Sequence, residues 1–94
     1  MNETANPAPK LPLGRIIITP HAKEVLAFED IFAGIRRHEV GDWGEMEPED
    51  RSANDRAIIE GTRILSAYPS SGVKFWIITE ADRSVTTVLM PEDY

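Results

Sequence analysis

Apolar and polar positions change rhythm along this chain, and each rhythm predicts a different kind of structure. Residues 2–12 hold three prolines (Pro7, Pro9, Pro12), small polar residues and almost no large apolar side chain. Burial there recovers too little to offset the entropy of ordering, so residues 1–12 are expected to form a flexible tail. Order is expected to begin at Leu13, and the β-branched run at 16–19 suits a short strand. Thr19-Pro20 then reads as a helix entry, with the threonine as N-cap and the proline at the first helical position. Val25, Leu26 and Phe28, followed by Ile31, Phe32 and Ile35, recur at three- and four-residue steps, the period of an amphipathic helix. Phe28-Glu29-Asp30 is a point at which it divides into two helices, and Gly34 costs the second up to about 1 kcal/mol relative to alanine.

Val40-Gly41-Asp42-Trp43-Gly44 carries two glycines within four residues and predicts a turn. Glu47-Pro48-Glu49-Asp50 opens a third helix, with proline in its first turn and carboxylates at the positive end of its dipole. Its apolar side is expected to be Ala53, Ala57, Ile58 and Ile59, with Gly61 ending it. Three strands follow at 63–68, Val73–Thr79 and 84–90, separated by Pro69-Ser70-Ser71-Gly72 and Glu80-Ala81-Asp82-Arg83. The middle strand is apolar on both faces, with Val73, Phe75 and Ile77 on one and Trp76 and Ile78 on the other. Such a strand is central and needs a cover on each side, which helices, the tail or a second copy can supply. The expectation is one α+β domain over residues 13–94, β-α-α-α-β-β-β. Its helices pack on an antiparallel sheet with a C-terminal three-stranded meander.

Length and composition narrow the function classes. Ninety-four residues support one domain with a modest core. The absence of cysteine removes disulfide frameworks, thiolate metal sites and cysteine nucleophiles, and it fits a reducing cytosol. The opening MNETANPAPK lacks the basic end and apolar stretch of a signal peptide, and no apolar run is long enough to cross a bilayer. A cytoplasmic protein with no membrane partner is expected. The net charge of −6 argues against general binding to a phosphate backbone. That charge is local. Residues 1–41 are neutral overall and residues 51–94 contribute −1, whereas residues 42–50 contribute −5 through Asp42, Glu45, Glu47, Glu49 and Asp50.

The stretch from Arg36 to Gly44 concentrates unusual residue types. Trp43 between glycines reads in two ways. It is either an anchor in a binding surface shared with Arg36, Arg37, Asp42 and Glu45, or a plug for the domain's own core. Arg36, Arg37 and His38 also suit a helix C-terminus, as Glu47, Glu49 and Asp50 suit a helix start. The acidic segment is a candidate steering patch for a basic protein partner. No metal site is expected, because the carboxylates lack the spacing of a calcium loop or a histidine partner, and no cofactor is implied. Catalysis would fall to His38, since His21 sits in a first helical turn where a protonated ring is disfavoured. With a nearby arginine and strand hydroxyls (Ser84, Thr86, Thr87), His38 would supply the proton shuttle of a metal-independent ribonuclease.

Two blocks of the chain carry a resemblance. The first runs from Arg37-His38 through Gly41-Asp42-Trp43-Gly44 to Pro48-Glu49-Asp50 and Asn54. The second runs from Ile64-Leu65-Ser66-Ala67-Tyr68 through Trp76-Ile77-Ile78-Thr79-Glu80-Ala81-Asp82-Arg83-Ser84 and Thr86-Thr87 to Pro91-Glu92-Asp93-Tyr94. Together with Gly14 and Thr19-Pro20 they resemble, over residues 13–94, a family of small proteins carried on bacterial plasmids, prophages and integrated elements. Its members bear labels such as "plasmid-related protein". The resemblance implies a habitat rather than a mechanism. A restriction methyltransferase is excluded, since the chain lacks a glycine-rich cofactor loop and is too short for that fold. In architecture the chain is also similar to the barnase/RelE-like toxin nucleases. That likeness implies a catalytic set of His38, Arg63 or Lys74, and Thr87, on a chain that is acidic where RNA-binding toxins are basic. The leading expectation is a non-catalytic accessory protein of a mobile element that works by protein–protein contact, such as an inhibitor of a host-defence or nucleic-acid-handling complex. A homodimer through the two-faced strand is also expected to be feasible.

Overall fold

A computed structural model describes residues 8–94. Four strands and three helices follow in the expected order: β1 (Arg15–Ile18), α1 (Pro20–Val25), α2 (Phe28–Glu39), α3 (Pro48–Glu60), β2 (Ile64–Ser70), β3 (Val73–Thr79) and β4 (Val85–Leu89), with a closing 3-10 turn at Pro91–Asp93. The α+β class and the meander β2–β3–β4 are as the pattern predicts. The sheet order is β1-β4-β3-β2, with β1 parallel to β4. The first strand thus joins the sheet beside the last, with the three helices forming the long crossover that parallel pairing requires.

Local chemistry sets the element ends. Thr19 caps α1 by accepting a hydrogen bond from the Ala22 amide, with Pro20 at the first helical position. The chain leaves the helix at Leu26 and re-enters at Phe28, the break expected near Phe28-Glu29-Asp30. α3 starts at Pro48 and ends at the left-handed Gly61.

The register sorts the sheet into two faces. Ile64, Thr79, Thr86 and Ile16 form one row, Ser66, Ile77, Val88 and Ile18 the next, and Tyr68 with Phe75 the third. This face meets α1 and α2, where Ala22, Leu26, Ile31, Tyr68, Phe75, Ile77, Val88 and Met90 form the larger core. On the reverse face the Tyr94 ring packs edge-on against Trp76 at 5.7 Å, so the C-terminal residues cover part of the side the helices leave open.

Three expectations need correction. The tail was expected to run to residue 12, yet Leu11 is buried in a second core with Trp43, Ala57 and Ile64, and the Lys10 amide bonds the Glu39 carbonyl. One apolar side chain, packed on tryptophan, draws the segment into the domain; residues 1–7 of the expected tail lie outside the described residues. On α3 the inward residues are Asn54, Ala57 and Ile58, while Ala53 is exposed and Ile59 is 86% exposed. On α2 the core face is Ile31, Gly34, Ile35 and His38, and the larger Phe28 and Phe32 lie outside it. Gly34 is required there, because a Cβ would sit 2.8 Å from Phe75 Cζ.

Candidate functional site

His38 is the candidate proton shuttle of the sequence, and the fold uses it internally. It lies in the last turn of α2, fully buried over the first two rows of the sheet. Nδ1 meets Ser66 Oγ and Nε2 meets Thr79 Oγ1 at 2.8 Å. Thr79 Oγ1 is 2.7 Å from Thr86 Oγ1, and Thr86 donates to the Leu13 carbonyl at 2.7 Å.

The terminal acceptor sets the direction of the relay as far as the imidazole Nε2. A carbonyl only accepts, so the Thr86 hydroxyl donates to Leu13 and must accept from Thr79. Thr79 has then used its proton and accepts from His38 Nε2–H. Burial disfavours the protonated ring, so Nδ1 carries no proton and accepts from the Ser66 hydroxyl. The ring is neutral, with one tautomer and both nitrogens occupied. Burial lowers its pKa to about 4, helped by the positive charge of Arg83. Four buried polar side chains thus satisfy one another, tying α2 to three strands and to the segment before β1.

Trp43 packs its ring edge against this histidine, with centroids 5.7 Å apart, and is 3% exposed among Leu11, Ala57 and Ile64. Its Nε1–H donates to Asp55 Oδ1 at 2.9 Å. The binding-anchor reading of Trp43 is therefore corrected, because its area is spent on the domain's own second core. Backbone bonding holds the loop: the Trp43 carbonyl accepts from the Ala67 amide, and the Glu45 amide donates to the Ala67 carbonyl. This short bridge covers the outer edge of β2. Gly44 has φ +76°, and any Cβ there would meet the Ala67 carbonyl.

The charged residues grouped with Trp43 stay at the surface, in pairs. Arg37 holds Asp42 through two hydrogen bonds of 2.8 and 3.1 Å and lies over the Tyr68 ring. That contact keeps the Asp42 carboxyl below its usual range. Asp42 also accepts from the Gly44 amide, and its carbonyl accepts from the Tyr68 hydroxyl. Arg36 pairs with Glu39, and Glu45 with Lys74. Glu45, Glu47, Glu49 and Asp50 are exposed, so the acidic segment does face solvent.

The set implied by the nuclease likeness is not brought together. His38 belongs to the helix-covered face with Thr79 and Thr86. Thr87 and Lys74 fall on the reverse face by strand alternation. Arg63 lies against the Tyr94 ring, bonds its hydroxyl and pairs with Glu80, on the side of Trp76. Among the described residues no group of three or more His, Asp or Glu side chains could hold a metal ion. No helix of the described residues is long and apolar enough to cross a membrane.

Both blocks that carry the family resemblance contain residues that hold the fold together. In the Thr79-to-Ser84 motif, Arg83 donates to the carbonyls of Ala57 and Thr62 and so closes the C-terminal end of α3. Asp82 accepts from the Ser84 amide and hydroxyl.

The sequence reading missed the partners Ser66 and Thr79. The signal was present in strand parity: Ser66 shares its face with Ile64 and Tyr68, and Thr79 with Phe75 and Ile77. A hydroxyl at a core-facing position needs a polar partner. What the reading also missed is a surface feature. Phe28 and Phe32 stack at 5.9 Å and are 56% and 61% exposed. On α2, Asp30 bonds Ser70 and Arg37 covers Tyr68, so these two mark the flank toward β2. The phenylalanines occupy the opposite flank, on the side of β4 and β1.

In comparisons with known proteins, no family model, no curated protein and no solved structure matches this chain.

Proposed function

We propose that this protein is a non-catalytic binding module that works by protein–protein contact, with the stacked pair Phe28–Phe32 as its apolar anchor. The observation that carries the reading is that pair. Two large aromatic side chains lie over half exposed while a histidine fills the core face of the same helix. Exposing two adjacent phenylalanines costs solubility and contributes little to folding, and such side chains supply interface energy when covered. The acidic segment at 42–50 adds a field that favours a basic partner and speeds its approach. The resemblance to proteins of plasmids and prophages supports an accessory role in a mobile element. The partner class we propose is a protein of a host-defence or nucleic-acid-handling complex.

Affinity capture from bacterial lysate tests this, with protein and nucleic acid analysed in the same eluate. A stoichiometric protein that is lost with Phe28→Ser/Phe32→Ser, and whose capture weakens with salt, is the expected result. Capture unchanged by the double substitution would remove Phe28–Phe32 as the anchor. RNA in the eluate without a protein partner would favour the ribonuclease alternative.

A further inference from the structure

The two edges of the sheet are unlike. The β2 edge is covered by the bridge at Gly44, whereas among the described residues β1 borders no other strand on its outer side. The Arg15 and Thr19 amides donate to the Ser84 and Val88 carbonyls, so the odd residues of β1 direct their backbone groups into the sheet. By alternation, the N–H and C=O groups of Ile16 and Ile18 point outward. Ile16 and Ile17 are 46% and 38% exposed, and no lysine, glutamate or proline within β1 blocks the edge.

We infer that β1 pairs antiparallel with β1 of a second copy of this chain, across a two-fold axis through Ile17, joining two sheets of four into one of eight. The inference does not rest on the proposed function. Two features of this strand select its own copy as the occupant. The first is register. Placing Ile16 opposite Ile18 of the second copy satisfies all outward amides and carbonyls of both residues in both chains. The same register sets Ile17 against Ile17 on the reverse face, in a close, non-hydrogen-bonded pair. The second is charge. Arg15 stands at one end of β1, while Glu92 and Asp93 stand at the other, where Asp93 accepts from Thr19 and pairs with His21. Antiparallel pairing carries each Arg15 to the acidic end of its partner strand; parallel pairing would set arginine beside arginine. An unrelated strand would have to reproduce both features.

The chain has no cysteine, which makes cross-linking a clean readout. Cα atoms in a non-hydrogen-bonded antiparallel pair lie about 4.5 Å apart. That falls within the range of about 4.4–6.8 Å that a disulfide spans. The wild-type chain should sediment as a concentration-dependent dimer. Under mild oxidation Ile17→Cys should link into a covalent dimer, while Ile59→Cys on α3 should not. Ile17→Lys should be monomeric with an unchanged circular dichroism spectrum. If that variant fails to fold, Ile16→Pro serves in its place, because the amide it removes points outward and bonds nothing in β4. A wild type that stays monomeric at every concentration overturns the inference and leaves the edge for another protein. So does a dimer that survives Ile17→Lys or Ile16→Pro, or an Ile17→Cys that links no faster than Ile59→Cys.

Discussion

His38 Nε2 donates to Thr79 Oγ1 across 2.8 Å, and the direction of that one bond decides what the histidine is for. Thr79 can only accept here, because its one proton serves Thr86, whose own proton serves the Leu13 carbonyl. A ring held this way is neutral and shielded from water, a strut between α2 and the sheet rather than a proton shuttle.

The two histidines should therefore titrate in opposite directions. By imidazole nitrogen NMR, His38 should stay an Nε2–H tautomer and protonate only near pH 4. His21, exposed and bonded to Asp93, should titrate above its ordinary value. A His38 resonance titrating near 6.5 would contradict the buried relay.

Stability should follow. Between pH 4 and 6.5 the unfolded chain binds a proton at residue 38 that the folded chain refuses. The contribution is complete above pH 6.5 and disappears as pH falls toward 4, by about 3 kcal/mol for a shift of this size. His21 acts with the opposite sign: its stabilisation is present at low pH and is lost as pH rises through its folded pKa. Denaturant midpoints at pH 7 and pH 4.5 should differ accordingly, with the folded state weaker at the lower value.

Trp43→Ala should cost about 3–5 kcal/mol, since it empties the centre of the second core and strips the covering from His38. Urea unfolding would measure it. A variant of nearly wild-type stability would mean that Trp43 is not a core residue.

Gly34→Ala should destabilise the domain even though alanine is the better helix former. The gain of up to about 1 kcal/mol in helix propensity is outweighed by roughly 1–3 kcal/mol of overpacking against Phe75 and Tyr68, which are fixed in the core. A higher melting temperature for Gly34→Ala would show that the Phe75 ring yields.

Much of the fold was legible in the chain because local chemistry sets it. Thr19-Pro20 could do little but cap and start a helix, and the turn after Thr79 carries its own residues; β2 runs on to Ser70, so the expected turn at 69–72 shrinks to Ser71-Gly72. What was not legible depends on which side of an element faces inward. On α2 the spacing of apolar residues favoured Phe28 and Phe32 equally with Ile31. The inward face instead carries His38, bonded to Ser66 and Thr79, and Gly34, packed on Phe75, and the aromatics face out. On α3 the same uncertainty made Ile59 a core candidate. The parallel seat of β1 beside β4 had no sequence signal, because pairing between strands 70 residues apart is set by the whole topology. Trp43 read as anchor or as plug, and Leu11, in a segment expected to be tail, packs on it and settles it as a plug.

The central claim is that this protein acts by contact through the exposed flank of α2. Phe32→Ser tests it most directly when stability and capture are measured on the same preparation. Because the ring is 61% exposed, the substitution should change folding stability by no more than about 0.5 kcal/mol. The captured protein partner should nonetheless fall away. Undiminished capture by a folded Phe32→Ser chain would contradict the claim.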